Sequence, residues 1–238
     1  MAWYAKPSGG YAEGSTENEE NALQINGILN GYNFSVESQI GILANCQHES
    51  SLNPWRLQDD SPNWTPAGGY GLYQFTPGRD YFDNCSDIPG FAPNKSVNYI
   101  SADARPEDGY AQTIVLAEDR LQKWTPYAWR DYWDRNQYPY MWQLCQEGLA
   151  RWGSNGRITL AQYKTVDEPN YATALFLACY EGPNPPNIQA RLTSVPYFAS
   201  IVSPDTPVPP PPEPFNPKGS SFKIMFYLKS KRRRFYGY

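Results

Sequence analysis

The sequence is poor in the residues from which metal and nucleophile sites are built. It has one histidine, His48, and four cysteines in 238 residues: Cys46, Cys85, Cys145 and Cys179. No CxxC pair exists, so a zinc knuckle is not expected, and a Ser-His-Asp or Cys-His hydrolase would depend on His48 alone. We expect no metal ion and no cofactor. Free thiols are the expected state of the cysteines, with two disulfides as the alternative outside cells.

Long apolar segments are also missing. The longest run of apolar or aromatic residues, Ala174–Tyr180, is far shorter than the ~20 residues of a membrane-spanning helix. Residues 1–10 contain a lysine and a proline but no apolar stretch, so a secretory signal is not expected. A protein that acts outside the cell would then have to leave by lysis or as part of a particle.

Charged residues make up only 18% of the chain and are unevenly placed. Seven of the 20 Lys and Arg lie between Lys218 and Tyr238, where there is no acidic residue. The rest has 13 basic against 24 acidic residues, a net charge of about -11. A basic tail on an acidic body predicts contact with a polyanion: nucleic acid, an anionic lipid surface or teichoic acid. A solvated terminus without a partner is the alternative.

Aromatic residues are abundant, at 16% of the chain with 8 Trp and 19 Tyr. Many of them fall between Trp124 and Trp142. Aromatic side chains fill cores, and exposed ones also stack on the faces of sugars. This stretch therefore predicts either a sugar-stacking platform or a satellite core. We expect a core for most of its members, with one or two exposed to a cleft.

The spacing of apolar residues predicts one mainly helical α+β domain. Five helices are expected, at Asn21–Leu29, at 36–48 after the N-cap Ser35, and at Tyr110–Trp124, Tyr140–Trp152 and Pro169–Gly182. The last is apolar nearly all round, which predicts a buried central helix. Turn residues around Tyr70–Phe75 predict a small β-hairpin or sheet edge.

The composition changes near both ends of the chain. Residues 1–18 are expected to form an irregular arm before the main domain, residues 19–203. Residues 204–219 are rich in proline, which predicts an extended, semi-rigid spacer. The basic aromatic residues 220–238 form a tail that we expect to anchor the protein or bind a partner.

Glu49 is the candidate for acid catalysis. It lies at the end of the helix that starts at Val36, where the helix dipole disfavours a negative charge, and packing against aromatic rings would also favour the neutral carboxyl. A carboxyl that stays protonated near neutral pH can donate its proton to a glycosidic oxygen. The glycine in Tyr70–Thr76, Gly71, would let a polysaccharide approach the backbone and Gln74. A solvated glutamate at a helix end is the alternative.

Three motifs in order resemble those of the phage tail lysozyme family, which is related to goose-type lysozymes and lytic transglycosylases. Gly41–Ser50 and Asn53-Pro54 fit the patterns GxLxNxQxES and NP. The stretch GYGLYQFTP from Gly69 fits GxGLxQWTP, with Phe75 where the family often has Trp. Leu177–Pro183 fits LASYExP. The resemblance covers about residues 20–200 and leaves out the tail.

The resemblance implies a lysozyme-like fold and a glycoside hydrolase that cleaves the MurNAc-β-1,4-GlcNAc bond of peptidoglycan. Glu49 then occupies the position of the catalytic acid. Candidates for a second carboxylate are Asp59, Asp60 and Glu181, although Asp59 and Asp60 also fit a solvated loop pair. The residues implied to contact substrate are Gly71, Leu72, Gln74, Phe75, Tyr180 and Glu181.

The resemblance also implies a place and partners. We expect a virion protein of the phage tail that acts on the host cell wall, with peptidoglycan as substrate. The basic tail is expected to bind other tail proteins by strand addition or to adsorb to anionic surfaces. Nucleic acid is not expected, because the acidic body would repel phosphates. The alternatives are a lytic transglycosylase and a catalytically inactive virion structural or wall-binding protein.

Overall fold

The computed structural model describes residues 3–6, 9–58, 65–91 and 108–211, and within these ranges the protein is mainly helical. The helices are α1 (Thr16–Gly31), α2 (Val36–Ser50), α3 (Gly78–Asn84), α4 (Asp108–Ala117), α5 (Pro139–Trp152), α6 (Leu160–Tyr163), α7 (Pro169–Phe176), α8 (Ile188–Leu192) and α9 (Val195–Ile201). A π-helical segment, Leu177–Glu181, continues α7. Among the described residues, no helix combines the length and the apolar character needed to cross a bilayer.

Helix α2 begins where the sequence predicts and ends later. The Ser35 side chain accepts a hydrogen bond from the backbone N–H of Ser38 and thereby caps the first turn. The helix continues past the predicted end at residue 47 or 48 and stops at Ser51, which adopts a left-handed conformation with φ of 49°. Glu49 therefore lies inside the last helical turn rather than after it.

The predicted helix from Pro169 to Gly182 is confirmed, but its last turn is wider than an α-helical turn. Pro169 occupies the first turn, and the Glu168 side chain accepts the backbone N–H of Tyr171 at 2.9 Å. The π-helical segment ends at Gly182, whose N–H donates to the carbonyl of Leu177 at 2.7 Å and whose φ is 61°. Such single π turns are frequent at functional sites.

Helices α2 and α7 pack side by side and run in the same direction. At Gly41 a Cβ atom would lie 2.6 Å from the carbonyl carbon of Ala172, so the backbones approach closely only because this residue is glycine. The side-chain amide of Asn45 donates to the carbonyls of Gly41 and Thr173, at 2.8 and 3.1 Å. The C-terminal ends of both helices consequently meet on one side of the domain.

The small β-hairpin predicted at Tyr70–Phe75 is not confirmed. Reciprocal backbone hydrogen bonds join Tyr70 and Phe75, at 3.1 and 2.9 Å, and single antiparallel bridges take the place of paired strands. Gly71 and Gln74 have positive φ angles of 79° and 42°. Because these positions interrupt the extended conformation, the segment closes into a tight turn.

The described parts of both chain ends pack against α1. The backbone N–H of Tyr4 donates to the side chain of Asn21 at 2.8 Å. The side chain of Asn30 donates to the carbonyl of Thr206 at 3.0 Å, and Pro207 lies where a Cβ atom on Gly27 would overlap it. An extended spacer is therefore not confirmed for 204–211. Residues 212–238, with the basic tail, lie outside the described residues, and the domain boundaries stay a prediction.

All four cysteines are buried and carry free thiols. This agrees with the first of the two expectations from the sequence.

Candidate active site

A cleft of about 390 Å³ opens where the ends of α2 and of the π-helical segment meet. The tight turn around Gln74 forms a further wall. The residues that line the cleft are Glu49, Arg56, Gln58, Gln74, Thr76, Glu181 and Pro183. Two carboxylates and several uncharged hydrogen-bonding groups therefore face one space.

Glu49 is held by a buried arginine from α8. The Nη2 group of Arg191 donates to Oε1 of Glu49, and the side chains are 1% and 19% exposed, respectively. The Nη1 group of the same arginine donates to the carbonyl of Pro186 at 3.0 Å. In this ion pair Glu49 is the anionic partner. Through its two contacts, Arg191 links the end of α2 to the segment before α8.

Glu181 is in a different charge environment. Its Oε1 atom is inaccessible to solvent and has no hydrogen-bond partner within the described part of the chain. Burial, followed by the negative charge of Glu49, raises the pKa of Glu181 to about 8, although the positive charges of Lys123, Arg191 and Arg130 oppose the rise. The Glu181 carboxyl therefore holds a proton at neutral pH, next to a carboxylate that forms an ion pair.

Lys123 supplies a further positive charge that acts on both Glu181 and Glu49. Its Nζ lies 5.7 Å from the ring centres of both Phe75 and Tyr180. Burial lowers the pKa of Lys123, and the charge of Glu181 opposes that change. The backbone N–H of Lys123 donates to the Asp119 side chain at 2.7 Å, which fixes this part of the loop after α4.

Gln112 of α4 fixes the turn that carries Gln74. It accepts the backbone N–H of Leu72 at 2.7 Å and donates to the carbonyl of Pro54 at 2.7 Å. A Cβ atom at Gly71 would overlap the Gln112 side chain. The Gln74 side chain donates to the carbonyl of Gly71 at 3.0 Å and lines the cleft. The glycine is thus needed both for its φ angle and for this close contact.

The structure brings together some of the residues expected from the sequence. Glu49, Gln74 and Glu181 line the same cleft. Leu72 and Phe75 are fully buried, so neither offers side-chain surface to a saccharide. The ring of Phe75 stacks on that of Tyr81, with the ring centres 5.3 Å apart. The remaining expected residues are placed as follows: Gly71 forms the turn, Tyr180 is buried behind the cleft against Phe176, and Asp59 and Asp60 lie outside the described residues.

Sequence reasoning missed several residues of the site. Arg191 meets Glu49 across 142 positions of sequence, and an arginine in a helix of five residues gives no local signal of such a contact. Arg56 and Gln58 lie two and four residues after Pro54 of the Asn-Pro motif, and this proximity is the only signal that could have found them. Thr76 and Pro183 lie inside the motifs but were not singled out.

A cysteine–histidine nucleophile does not form at the end of α2. His48 is exposed, whereas Cys46 is fully buried. Burial raises the pKa of the Cys46 thiol well above its usual range, so the reactive thiolate is disfavoured.

A mainly helical domain with two carboxylates in one cleft agrees with a lysozyme-like, α-rich fold. The chain belongs to the phage tail lysozyme family, whose family model matches residues 20–195. The match includes Glu49, Glu181 and Arg191, and it confirms the resemblance that the three motifs indicate. A phage-associated, lysozyme-like protein with peptidoglycan as the implied substrate follows from this membership.

Proposed function

We propose that the protein is a muramidase, a glycoside hydrolase that cleaves the MurNAc-β-1,4-GlcNAc bond of peptidoglycan. The observation that carries the proposal is that two glutamates line one cleft: Glu49, which pairs with Arg191, and Glu181, whose pKa burial raises. Membership of the phage tail lysozyme family supports the substrate class. Enzymes that cleave glycosidic bonds commonly use two carboxyl groups whose surroundings give them different pKa values.

The two carboxyl groups have different roles in this proposal. Glu181, protonated at neutral pH, donates its proton to the oxygen that leaves the anomeric carbon. Glu49, the anionic partner of Arg191, stabilises the positive charge that develops on the sugar ring or activates water. The sequence alone suggested Glu49 as the proton donor, whereas burial and the negative charge of Glu49 favour Glu181.

The other groups of the cleft suit a saccharide. Gln58, Gln74 and Thr76 offer uncharged donors and acceptors that match hydroxyl and acetamido groups. Arg56 adds a positive charge to the lining, which suits an ionised carboxylate of the stem peptide.

Digestion of purified sacculi tests the proposal. Glu49→Gln and Glu181→Gln should each slow the release of soluble fragments by about 10²- to 10⁴-fold, the usual effect of losing a group that transfers a proton. Glu118→Gln is a matched control, because Glu118 pairs with Arg120 outside the cleft and should leave the rate unchanged. Near-normal turnover in both cleft variants would remove these carboxyls from the reaction.

Mass spectrometry of the released fragments identifies the reaction. Hydrolysis leaves reducing ends, as the proposal expects. Anhydro ends would instead assign the protein as a lytic transglycosylase. Binding to sacculi without any release of fragments would assign a virion structural or wall-binding protein.

The proposed place of action is the phage tail during entry through the host cell wall. Family membership supports a phage-associated protein, and the basic residues 218–238 are proposed to contact other tail proteins. Immunogold labelling of purified virions should find the protein on the tail. Its presence only in lysates, and not on particles, would contradict this placement.

A further inference from the structure

The carbonyl groups near the end of the π-helical segment accept hydrogen bonds from a loop between α4 and α5. The backbone N–H and the hydroxyl of Thr125 both donate to the carbonyl of Cys179, at 2.8 and 3.1 Å. The Nε group of Arg130 donates to the carbonyl of Ala178 at 2.6 Å. The last carbonyls of a helix have no partner within the helix and need such donors. We refer to residues 125–133 as the capping loop.

The capping loop also holds the residues that follow the π-helical segment. The hydroxyl of Tyr132 donates to the carbonyl of Gly182, and the indole N–H of Trp133 donates to the carbonyl of Pro183 at 2.8 Å. Pro183 lines the cleft. Two members of the aromatic stretch between residues 124 and 142 therefore fix the backbone beside Glu181, a role that their abundance in the sequence does not indicate.

Arg130 bonds the carbonyl that an α-helical turn would use. In an α-helix the N–H of residue 182 would donate to the carbonyl of residue 178. In the structure the N–H of Gly182 donates instead to the carbonyl of Leu177, at 2.7 Å. The guanidinium of Arg130 takes the place of that N–H at the Ala178 carbonyl. The contact therefore favours the wider π turn over the α-helical one.

The next carbonyl along the segment also depends on the capping loop. Residue 183 would be its α-helical donor, but proline has no backbone N–H. Thr125 supplies two donors to this carbonyl, that of Cys179. Neither carbonyl is thus bonded in the α-helical way, and both partners come from one loop.

The guanidinium of Arg130 lies directly against the residue that follows Glu181. A Cβ atom at Gly182 would lie 2.9 Å from Cζ of Arg130. The positive charge of Arg130 also opposes the rise in the pKa of Glu181, so it acts on this carboxyl as well as on the backbone. A narrower last turn would change where the Glu181 carboxyl points.

We propose that Arg130 is a positioning residue, which keeps the end of the α7 helix in the π-helical form that presents Glu181 to the cleft. The inference rests on the proposed function for the importance of Glu181, whereas the form of the turn can be measured without turnover. Misplacement of a reacting group by about 1 Å can slow a reaction by about 10²-fold. A purely stabilising role would instead lower the unfolding temperature and leave the folded enzyme at its normal rate.

Substitution of Arg130 tests the proposal through the digestion of soluble peptidoglycan strands. Arg130→Met removes the charge and the N–H donors but keeps a long side chain. It should lower kcat by about 10²-fold and leave KM nearly unchanged, because the residues that line the cleft are intact. Arg130→Lys should recover most of the lost kcat, because an ammonium group can still donate to the Ala178 carbonyl.

Arg135→Met is the matched control. Arg135 lies just after the capping loop and stacks on the ring of Trp142, 4.5 Å from its centre, so this variant should keep the parent's kcat. A folded Arg130→Met protein that also keeps the parent's kcat would overturn the proposal. A lysine variant that recovers none of the lost kcat would do the same.

NMR spectroscopy measures the turn directly, without turnover and without any variant. Scalar couplings across hydrogen bonds should join the Gly182 amide to the carbonyl carbon of Leu177, and Nε of Arg130 to that of Ala178. In Arg130→Met the Gly182 coupling should move to Ala178. A Gly182 coupling to Ala178 in the unsubstituted protein, or one to Leu177 that persists in folded Arg130→Met, would overturn the inference. Absence of turnover by the unsubstituted protein, with the expected couplings and their shift present, contradicts the muramidase proposal alone.

Discussion

At the scale of single residues, the protonation of Glu181 is the central property of the cleft. Its pKa is about 8 in the folded protein, against an ordinary value of 4.5, because burial and the charge of Glu49 favour the neutral form. The fold therefore binds this proton more tightly than the unfolded chain does. The contribution to stability is fully present below pH 4.5 and is lost as the pH rises through about 8.

Replacing Glu181 with glutamine should remove this part of the pH dependence. The free energy of unfolding of the unsubstituted protein, measured by urea denaturation, should decline between pH 4.5 and about 8. Glu181→Gln keeps the shape of the neutral acid, so its decline over this range should be clearly smaller. Identical slopes in both proteins would mean that Glu181 does not hold a proton in the fold.

Substitution of Gly71 tests whether the tight turn that carries Gln74 needs a glycine at this position. Gly71→Ala should destabilise the protein by about 3 kcal/mol, because it adds strain at positive φ and an overlap with Gln112. Gly156→Ala is the matched control: its φ is 69° with no atom nearby, so only the backbone strain applies, about 1 kcal/mol. Equal losses in urea denaturation would show that the contact with Gln112 is unimportant.

At the scale of helices, the parallel packing of α2 and α7 brings the two glutamates together. Gly41→Ala should destabilise the protein by about 2 kcal/mol, because the new Cβ atom meets the backbone of Ala172. In Gly148→Ala in α5 the new Cβ atom meets only side-chain atoms of Leu175, the nearest at 3.0 Å, so the substitution should change stability by less than about 1 kcal/mol. Both substitutions gain the same helix propensity, so the difference in thermal unfolding isolates the backbone contact. Similar unfolding temperatures for the two variants would contradict close packing at Gly41.

The sequence predicted helices better than it predicted the turn. Ser35, Pro169 and Gly182 are local signals for helix ends, and the structure has helix ends at each of them. The hairpin prediction is not confirmed: Tyr70 and Phe75 pair through a single bridge, and positive φ at Gly71 and Gln74 makes the residues between them a tight turn rather than paired strands. The alternation of apolar and polar residues along a sequence does not indicate which residues have a positive φ angle.

At the scale of the whole molecule, the site draws on residues that are far apart in sequence. The motifs indicated Glu49, Gln74 and Glu181, because each lies in a short stretch with a recognisable pattern. Arg191 and Lys123 could not be predicted, since they reach the cleft through tertiary packing alone. The raised pKa of Glu181 comes from its burial and from the charge of Glu49, while Lys123 and Arg191 oppose the rise, and none of these effects is visible in the motifs.

The pH dependence of sacculus digestion tests the account most directly. With Glu181 as proton donor, kcat/KM should fall as the pH rises through about 8, where this carboxyl loses its proton. Glu181→Gln should be folded, should bind sacculi and should release almost no fragments at any pH. A Glu181→Gln protein that digests sacculi at the normal rate, with the same fall at alkaline pH, would contradict the assignment.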